Sequence, residues 1–189
     1  MPSLVGYRAG GWAARTNDPT QVLPFDPEVI DSLAVGLKAS LLDGRARLNS
    51  EYFYCDYQDL FNSATDPDTG NFAVFTNHAK VQGLEIEGTM RISENLDIFK
   101  FFAFSDGEYK DADPAVGASL CNKLQCLPES SFKLGFTNIW PVAGGAQIRL
   151  NADYQYTEDH FTDLPNTDLG RSGDISFLSA SLGWGSADN

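Results

Sequence analysis

The sequence predicts an all-β fold, an antiparallel meander of about eight long strands organised as a segment of a transmembrane β-barrel. Three observations predict it. Residues 146–156, AQIRLNADYQY, alternate without a break: Ala146, Ile148, Leu150, Ala152, Tyr154 and Tyr156 are apolar or aromatic, and Gln147, Arg149, Asn151, Asp153 and Gln155 between them are polar. A period of two is a strand with one oily face and one wet face. The connections between such strands alternate between long and short along the whole chain. Tight turns at one end and extended loops at the other are how outer-membrane barrels are built, whereas soluble sandwiches mix loop lengths at both ends. The strands also read as roughly 10 to 18 residues each, enough for the roughly 9 to 11 that cross a bilayer when tilted.

Taken in order, residues 4–15 read as a strand with Gly10-Gly11 as a bend, and residues 16–28, with Pro19, Pro24 and Pro27, as a long loop. Leu33, Val35, Leu37 and Ala39 alternate with Ala34, Gly36, Lys38 and Ser40 in a second strand. Asp43-Gly44 then predicts a hairpin and an antiparallel return. The third strand, 45–60, carries Arg47, Asn49 and Glu51 on one face and Ala46, Leu48, Ser50, Tyr52 and Tyr54 on the other. Beyond Tyr52 both faces turn aromatic, with Phe53, Tyr54 and Tyr57, and the parity there stays open. Residues 62–71, NSATDPDTGN, are turn formers. Strand four, 72–91, sets Glu85 and Glu87 opposite Leu84, Ile86 and Met90, and Ser93-Glu94-Asn95 turns into strand five, 96–109. Residues 110–129 are the longest irregular stretch. Strand six, 131–140, ends at Pro141; Ala143-Gly144-Gly145 leads into 146–156, residues 158–173 are long and polar, and 175–184 form the eighth strand.

Composition narrows the function classes. With 26 acidic against 13 basic residues the formal charge is −13, so a nucleic-acid footprint, which needs a basic patch, is not expected. No run approaches the roughly 18 apolar residues of a membrane helix, and 98–104 is interrupted by Lys100. Transmembrane strands carry a much weaker signal, so the membrane stays open. The first residues, MPSLVGYRAGG, lack a basic region followed by an apolar one, and no signal peptide is expected in them.

Several local sequences resemble the C-terminal part of a TonB-dependent outer-membrane receptor barrel. Gly6-Tyr7-Arg8-Ala9-Gly10-Gly11-Trp12-Ala13-Ala14-Arg15 is similar to that family's Gly-Tyr-x-x-Gly-Gly-Phe-Asn strand end. Val35-Gly36-Leu37-Lys38, Asp43-Gly44-Arg45, and Leu48-Asn49 leading to Phe53-Tyr54 and Tyr57 follow in order. Asn77, then Gly83-Leu84-Glu85-Ile86-Glu87, resembles its Asn…Gly-Val-Glu-Leu-Glu signature. The resemblance implies one partial barrel domain over residues 1–189, without the plug domain or the terminal strands of a barrel of about 22 strands. It further implies a transporter, not an enzyme, with no cofactor, in the outer membrane of a Gram-negative bacterium. It would work in TonB-dependent uptake of a scarce nutrient such as a ferric siderophore. The implied partners are outer-membrane lipid, the TonB complex acting through the missing plug, and a small-molecule ferric chelate.

Two other readings stay open at this point. A complete eight-stranded barrel with a structural or adhesive role would pair the first strand with the eighth. A soluble secreted β-sandwich binding module would put Ile148, Leu150 and Tyr154 in a dry core.

Few residues invite chemistry. Arg47, Glu51, Glu85, Glu87, Arg149 and Asp153 lie on wet faces and are the lumen-facing candidates. Cys121 and Cys126, in one long loop, are a candidate disulfide, and Cys55 reads as an inert small apolar residue. His160, Asp163 and Ser172 could be drawn as a hydrolytic triad, although no nucleophile-elbow motif accompanies them; His78 reads as structural. Among the loop acids Asp106, Glu108, Asp111, Asp113, Glu158, Asp159, Asp163 and Asp168, no spacing matches a known cation loop. The loop alternation places Ala146 at the periplasmic end and Tyr156 towards the outside, with Tyr154 and Tyr156 as the outer aromatic girdle.

Overall fold

The computed structural model describes residues 3–12, 22, 24–65, 72–111 and 119–186. Eight strands form one antiparallel sheet: β1 (Ser3–Arg8), β4 (Glu28–Leu41), β5 (Ala46–Thr65), β6 (Phe72–Ser93), β7 (Leu96–Tyr109), β8 (Ser130–Pro141), β9 (Gln147–Thr157) and β10 (Ile175–Gly185). A two-stranded ribbon, β2 (Gly11–Trp12) with β3 (Pro24–Phe25), stands beside it. The meander runs in sequence order from β1 to β10, and each strand pairs only with its chain neighbours in the sheet. β1 does not meet β10, so the sheet is open and the small closed barrel is excluded.

Pairing resolves which residues share a face, because directly opposed residues on antiparallel strands point to the same side. One face is built of rows such as Leu37–Ser50–Ile86–Phe102–Phe132–Tyr156–Ser176 and Leu41–Ala46–Met90–Ile98–Phe136–Ala152–Ala180. Toward the short turns this face ends in Trp140–Ile148–Trp184. Toward the long loops it passes through Val35–Tyr52–Leu84–Phe104 and then becomes polar, at Asp31–Asp56–Lys80–Glu108. The opposite face reads Lys38–Asn49–Glu87–Phe101–Lys133–Gln155–Phe177 in one row and Ser40–Arg47–Thr89–Phe99–Gly135–Asp153–Ser179 in the next. The open parity beyond Tyr52 is thereby settled: Tyr52 and Tyr54 stand on the apolar face, while Phe53 covers Gly83 on the polar one.

Among the described residues nothing packs on the apolar face. Leu134 is 53% exposed, and on the sheet edge Leu182 and Trp184 are 74% and 70% exposed. Ile148 and Leu150 belong to this uncovered face, so the sandwich expectation of a dry core there is corrected. Among the described residues the buried core is small, comprising Ala79, Tyr109, Leu124 and Leu164, with Tyr57, Leu60, Val81 and Leu127 packed against it. It lies on the polar side of the sheet: a side chain at Gly107, which pairs with Val81, would run into Leu124 and Leu127. The long loops therefore fold over the polar face, not the apolar one.

Local structure departs from expectation in instructive places. The hairpin expected at Asp43-Gly44 is present, in a connection over residues 42–45: Leu42, Asp43 and Gly44 take φ +54°, +54° and +84°, the Gly44 amide donates to the Leu41 carbonyl at 3.2 Å and the Arg45 amide to the Leu42 carbonyl at 3.1 Å. Positive φ at the central residues matches the twist of the flanking strands, which offsets the strain at Leu42. Gly144 and Gly145 make the β8–β9 turn with φ +78° and +76°, a conformation that costs glycine little. β5 runs on to Thr65 past a bulge between Tyr57 and Leu60, with Asp59 at φ +53°, so the loop expected at 62–71 begins later. The first strand ends at Arg8, and Pro24 and Phe25 of the expected 16–28 loop pair with Gly11 and Trp12. The β2–β3 ribbon adjoins the sheet through Phe25, whose ring centroid lies 5.0 Å from that of Phe61; Arg8 stacks over Phe61 at 4.3 Å.

Candidate functional site

The polar face is the candidate site, and its centre is on β5 and β6. Strand alternation brings Arg47 opposite Thr89, Asn49 opposite Glu87, and Glu51 opposite Glu85. Glu51 and Glu85 are a like-charged cross-strand pair, an arrangement that costs stability unless water or cations screen it. Asn49 Nδ2 donates to Glu87 at 3.4 Å, and Lys38 sits opposite Asn49 on β4. A shallow groove of about 200 Å³ runs between Lys38, Asn49, Glu51, Glu85 and Glu87. Arg149 and Asp153 share this face three strands away on β9, with Asp153 in the same row as Arg47.

Several residues of this face escaped sequence reading. Lys133 on β8 holds Asp153 at 3.3 Å and stands 6.0 Å above the Phe99 ring. Thr137 donates to Asn151 at 2.8 Å, and Asn151 passes the chain on to Ser181 at 3.1 Å. The alternation of 146–156 already placed Asn151 on this face, and the alternation of Lys133, Gly135 and Thr137 would have found the rest. Gly135 lets Phe99 and Asp153 close over the sheet; a Cβ there would lie 2.7 Å from that of Asp153.

At the long-loop end two segments interlock above this face. The Cys126 amide donates to the Phe161 carbonyl at 2.7 Å, and Asn122 Nδ2 to the Leu164 carbonyl at 2.8 Å. Asn166, at φ +55°, accepts the Lys123 amide on Oδ1 at 2.6 Å and returns Nδ2 to the Lys123 carbonyl at 3.0 Å. Left-handed backbone is where asparagine is best tolerated after glycine, so one residue both makes the turn and clamps the neighbouring loop. Arg171 pairs with Asp159 at 2.5 Å, and the guanidinium hydrogen bond holds that carboxyl below the ordinary aspartate range. Glu129, at 2.5 Å, raises the Lys123 ammonium above its ordinary value.

The chemical candidates resolve plainly. Cys121 and Cys126 are free, exposed thiols and form no disulfide in this structure. Cys126 has left-handed backbone and its amide donates to the Phe161 carbonyl, and the Cys121 amide donates to Ser119 Oγ. Cys55 is a free, partly buried thiol on β5. Ser172 Oγ lies 3.2 Å from His160 Nδ1, but the Asp163 carboxylate is occupied by the Thr167 amide and hydroxyl, so no triad is assembled. His78 contacts Asp56 at 2.5 Å on the outer rim of the apolar face. Among the described residues no three His, Cys, Asp or Glu side chains gather as a metal site; Asp113 lies outside those residues.

An open meander, apolar and exposed on one side and polar on the other, has the two-faced pattern of a barrel wall. The sequence profile described as TonB dependent receptor-like, beta-barrel, matches residues 1–189. The chain belongs to the TonB-dependent receptor family. Among curated relatives of this receptor segment is the metal-pseudopaline receptor CntO of Pseudomonas aeruginosa, 28% identical over 99 residues, covering 52% of this chain and 14% of the relative. Among solved structures, the ferric yersiniabactin uptake receptor FyuA from Yersinia pestis superposes with a TM-score of 0.75 at 18% identity, over 96% of this chain and 26% of that one. BauA, the ferric preacinetobactin receptor from Acinetobacter baumannii, gives 0.70 at 17% identity, again over 96% and 26%. The receptor segment thus spans about a quarter of the solved receptors that share its fold.

Proposed function

We propose that this chain is part of the wall of an outer-membrane receptor that takes up a scarce nutrient such as a ferric siderophore, driven by TonB. In this reading the apolar face meets lipid and the opposite face lines the lumen, so that Arg47, Glu51, Glu85, Glu87, Arg149 and Asp153 face water and a plug domain. The short turns then face the periplasm and the interlocked loops face the outside. The observation that carries the reading is the uncovered apolar face, since a soluble protein rarely leaves a patch of that size bare. The relatives, receptors for metal-pseudopaline, ferric yersiniabactin and ferric preacinetobactin, support a metal chelate as the substrate class. A mixed acidic and basic lumen suits passage better than storage, because among the described residues no side-chain set on it gathers as a metal site. Transport by binding, release and passage calls for no catalytic group.

The test is uptake in cells. Deleting the receptor that carries this segment is expected to abolish accumulation of one radiolabelled ferric or other metal chelate from a panel, and deleting TonB to abolish the same accumulation. Unchanged accumulation of every chelate in both strains contradicts the uptake reading.

A further inference from the structure

Two neighbouring short turns, β4–β5 and β6–β7, bring three arginines to one corner of the polar face. Arg45 closes the turn over residues 42–45, Arg47 follows it on β5 opposite Thr89, and Arg91 lies two residues from the end of β6, its amide donating to the Arg45 carbonyl at 2.8 Å. Two of the three are engaged. Arg45 Nη2 donates to the Arg91 and Ile92 carbonyls at 3.2 and 3.0 Å, and Arg91 Nε donates to Asp97 at 3.1 Å. Arg47 is exposed and has no hydrogen bond, ion pair or ring contact among the described residues. Around it is an open cavity of about 570 Å³, lined by Asp43, Arg45, Arg47, Arg91, Asp97 and Phe99.

Further up the same two strands the sign reverses. Asn49 stands opposite Glu87 and Glu51 opposite Glu85, so the wall is cationic at the short turns and anionic roughly 13 Å higher along β5. Separated charges of this kind set the register of whatever lies against them. The fold then sorts the anions that could meet Arg47. It shares its face with Thr89 and Phe99, opposite to the apolar face, so a headgroup in the surrounding bilayer does not reach it. A small free anion would have one open guanidinium in water, a contact worth little. A carboxylate on a protein segment already held in the lumen binds as an intramolecular group, with no fresh loss of translational freedom, and the planar fork of arginine takes it bidentately.

We infer that Arg47, with Arg45 and Arg91 beside it, is a docking corner for an aspartate or glutamate of the receptor's own lumen-filling part, outside residues 1–189. This rests on the lumen-facing reading of the polar face and adds a sign and a place to it: the segment lying against the β4–β5 and β6–β7 turns presents a carboxylate. Asp97 already neutralises Arg91, so Arg47 is the guanidinium that takes the incoming oxygen pair, and Phe99 lines the corner beside it.

The test is carbodiimide coupling in the whole receptor that carries this segment, reconstituted in vesicles. Arg47→Lys keeps the charge and supplies a primary amine, and a water-soluble carbodiimide joins that amine to a carboxylate in contact with it, as an amide formed with loss of one water. Peptide mass spectrometry is expected to find position 47 joined to an aspartate or glutamate outside residues 1–189. The yield should be about fivefold that of Gln155→Lys, on the same face away from the corner, and the excess should vanish in about 1 M salt. Coupling only to Asp43 or Asp97, coupling to a bound chelate, or a yield no higher than that of Gln155→Lys overturns the docking corner. Those outcomes leave the lumen-facing reading standing when nitroxide labels at 149 and 153 meet a water-soluble quencher; labels there that meet lipid overturn both.

Discussion

Lys133 and Leu134 are adjacent in sequence and meet opposite worlds. Lys133 turns to Asp153 and the Phe99 ring, in a row with Gln155 and Asn49; Leu134 turns to the opposite face between Lys100 and Tyr154, half exposed. The same backbone bonds serve both, so the difference lies in what each face excludes. The bare face offers few polar partners, such as Ser176 to the Tyr154 hydroxyl at 2.9 Å, and in the proposed reading it meets hydrocarbon. The other face carries Arg47, Asn49, Glu87, Lys133 and Asp153, and loop residues cover its long-loop end. A strand with these two faces costs nothing extra in a membrane and would aggregate in water.

The largest effect should come from breaking that difference outright. Leu134→Arg places a second charge in the middle of the lipid-facing rows and is expected to destabilise the receptor by about 2–4 kcal/mol in vesicles. Gln155→Arg, exposed on the other face of the neighbouring strand, should change stability by less than about 0.5 kcal/mol. Denaturant titration of the two variants checks this, and equal losses would mean that the faces are not different environments.

A smaller effect tests how closely the polar face is packed. Gly135→Val pushes a branched side chain against Phe99 and Asp153 and should cost about 1–3 kcal/mol, read from the same titration. Gly183→Ala, whose Cβ would come no nearer than 3.9 Å to the Arg149 carbonyl oxygen, should be neutral.

The sequence already announced much of this contrast. Strict alternation at 146–156 fixed the faces of β9, and the long-short rhythm of connections ordered the meander, because both follow from backbone period and loop length. Parity failed where aromatics fill both faces, at Phe53, Tyr54 and Tyr57, since composition there is blind to which ring covers a glycine. The small core was hidden for another reason: Ala79, Tyr109, Leu124 and Leu164 come from strand and loop segments far apart in sequence, and only tertiary contact joins them. Asn166 was equally silent, as its role depends on a loop some forty residues away. The polar-face pair Lys133 and Asp153 needed strand register, which the sequence supplies only once neighbours are known.

The loops sharpen the comparison at its roofed side. Asn166→Ala removes the clamp on Lys123 and a residue suited to left-handed backbone, and should cost about 1–3 kcal/mol locally. Faster amide exchange at Lys123 and Thr167, with the strand amides unchanged, is the expected signature. The weakest effect is on pH. Because Asp159 is held below the ordinary aspartate range by Arg171, its contribution is present above the unfolded value, near pH 4, and is lost as pH falls through the lower folded value. Loop exchange is expected to rise in that acidic window, and Asp159→Asn should remove the pH dependence.

The central claim is that adjacent residues of one strand face lipid and water in turn. Nitroxide labels placed singly at positions 148 to 153 of the receptor, with Cys55, Cys121 and Cys126 replaced by serine, report it directly in vesicles. Collision with oxygen should be high at 148, 150 and 152, and collision with a water-soluble nickel chelate should be high at 149, 151 and 153. Uniform accessibility along the six positions, or a pattern with the parity reversed, would contradict the account.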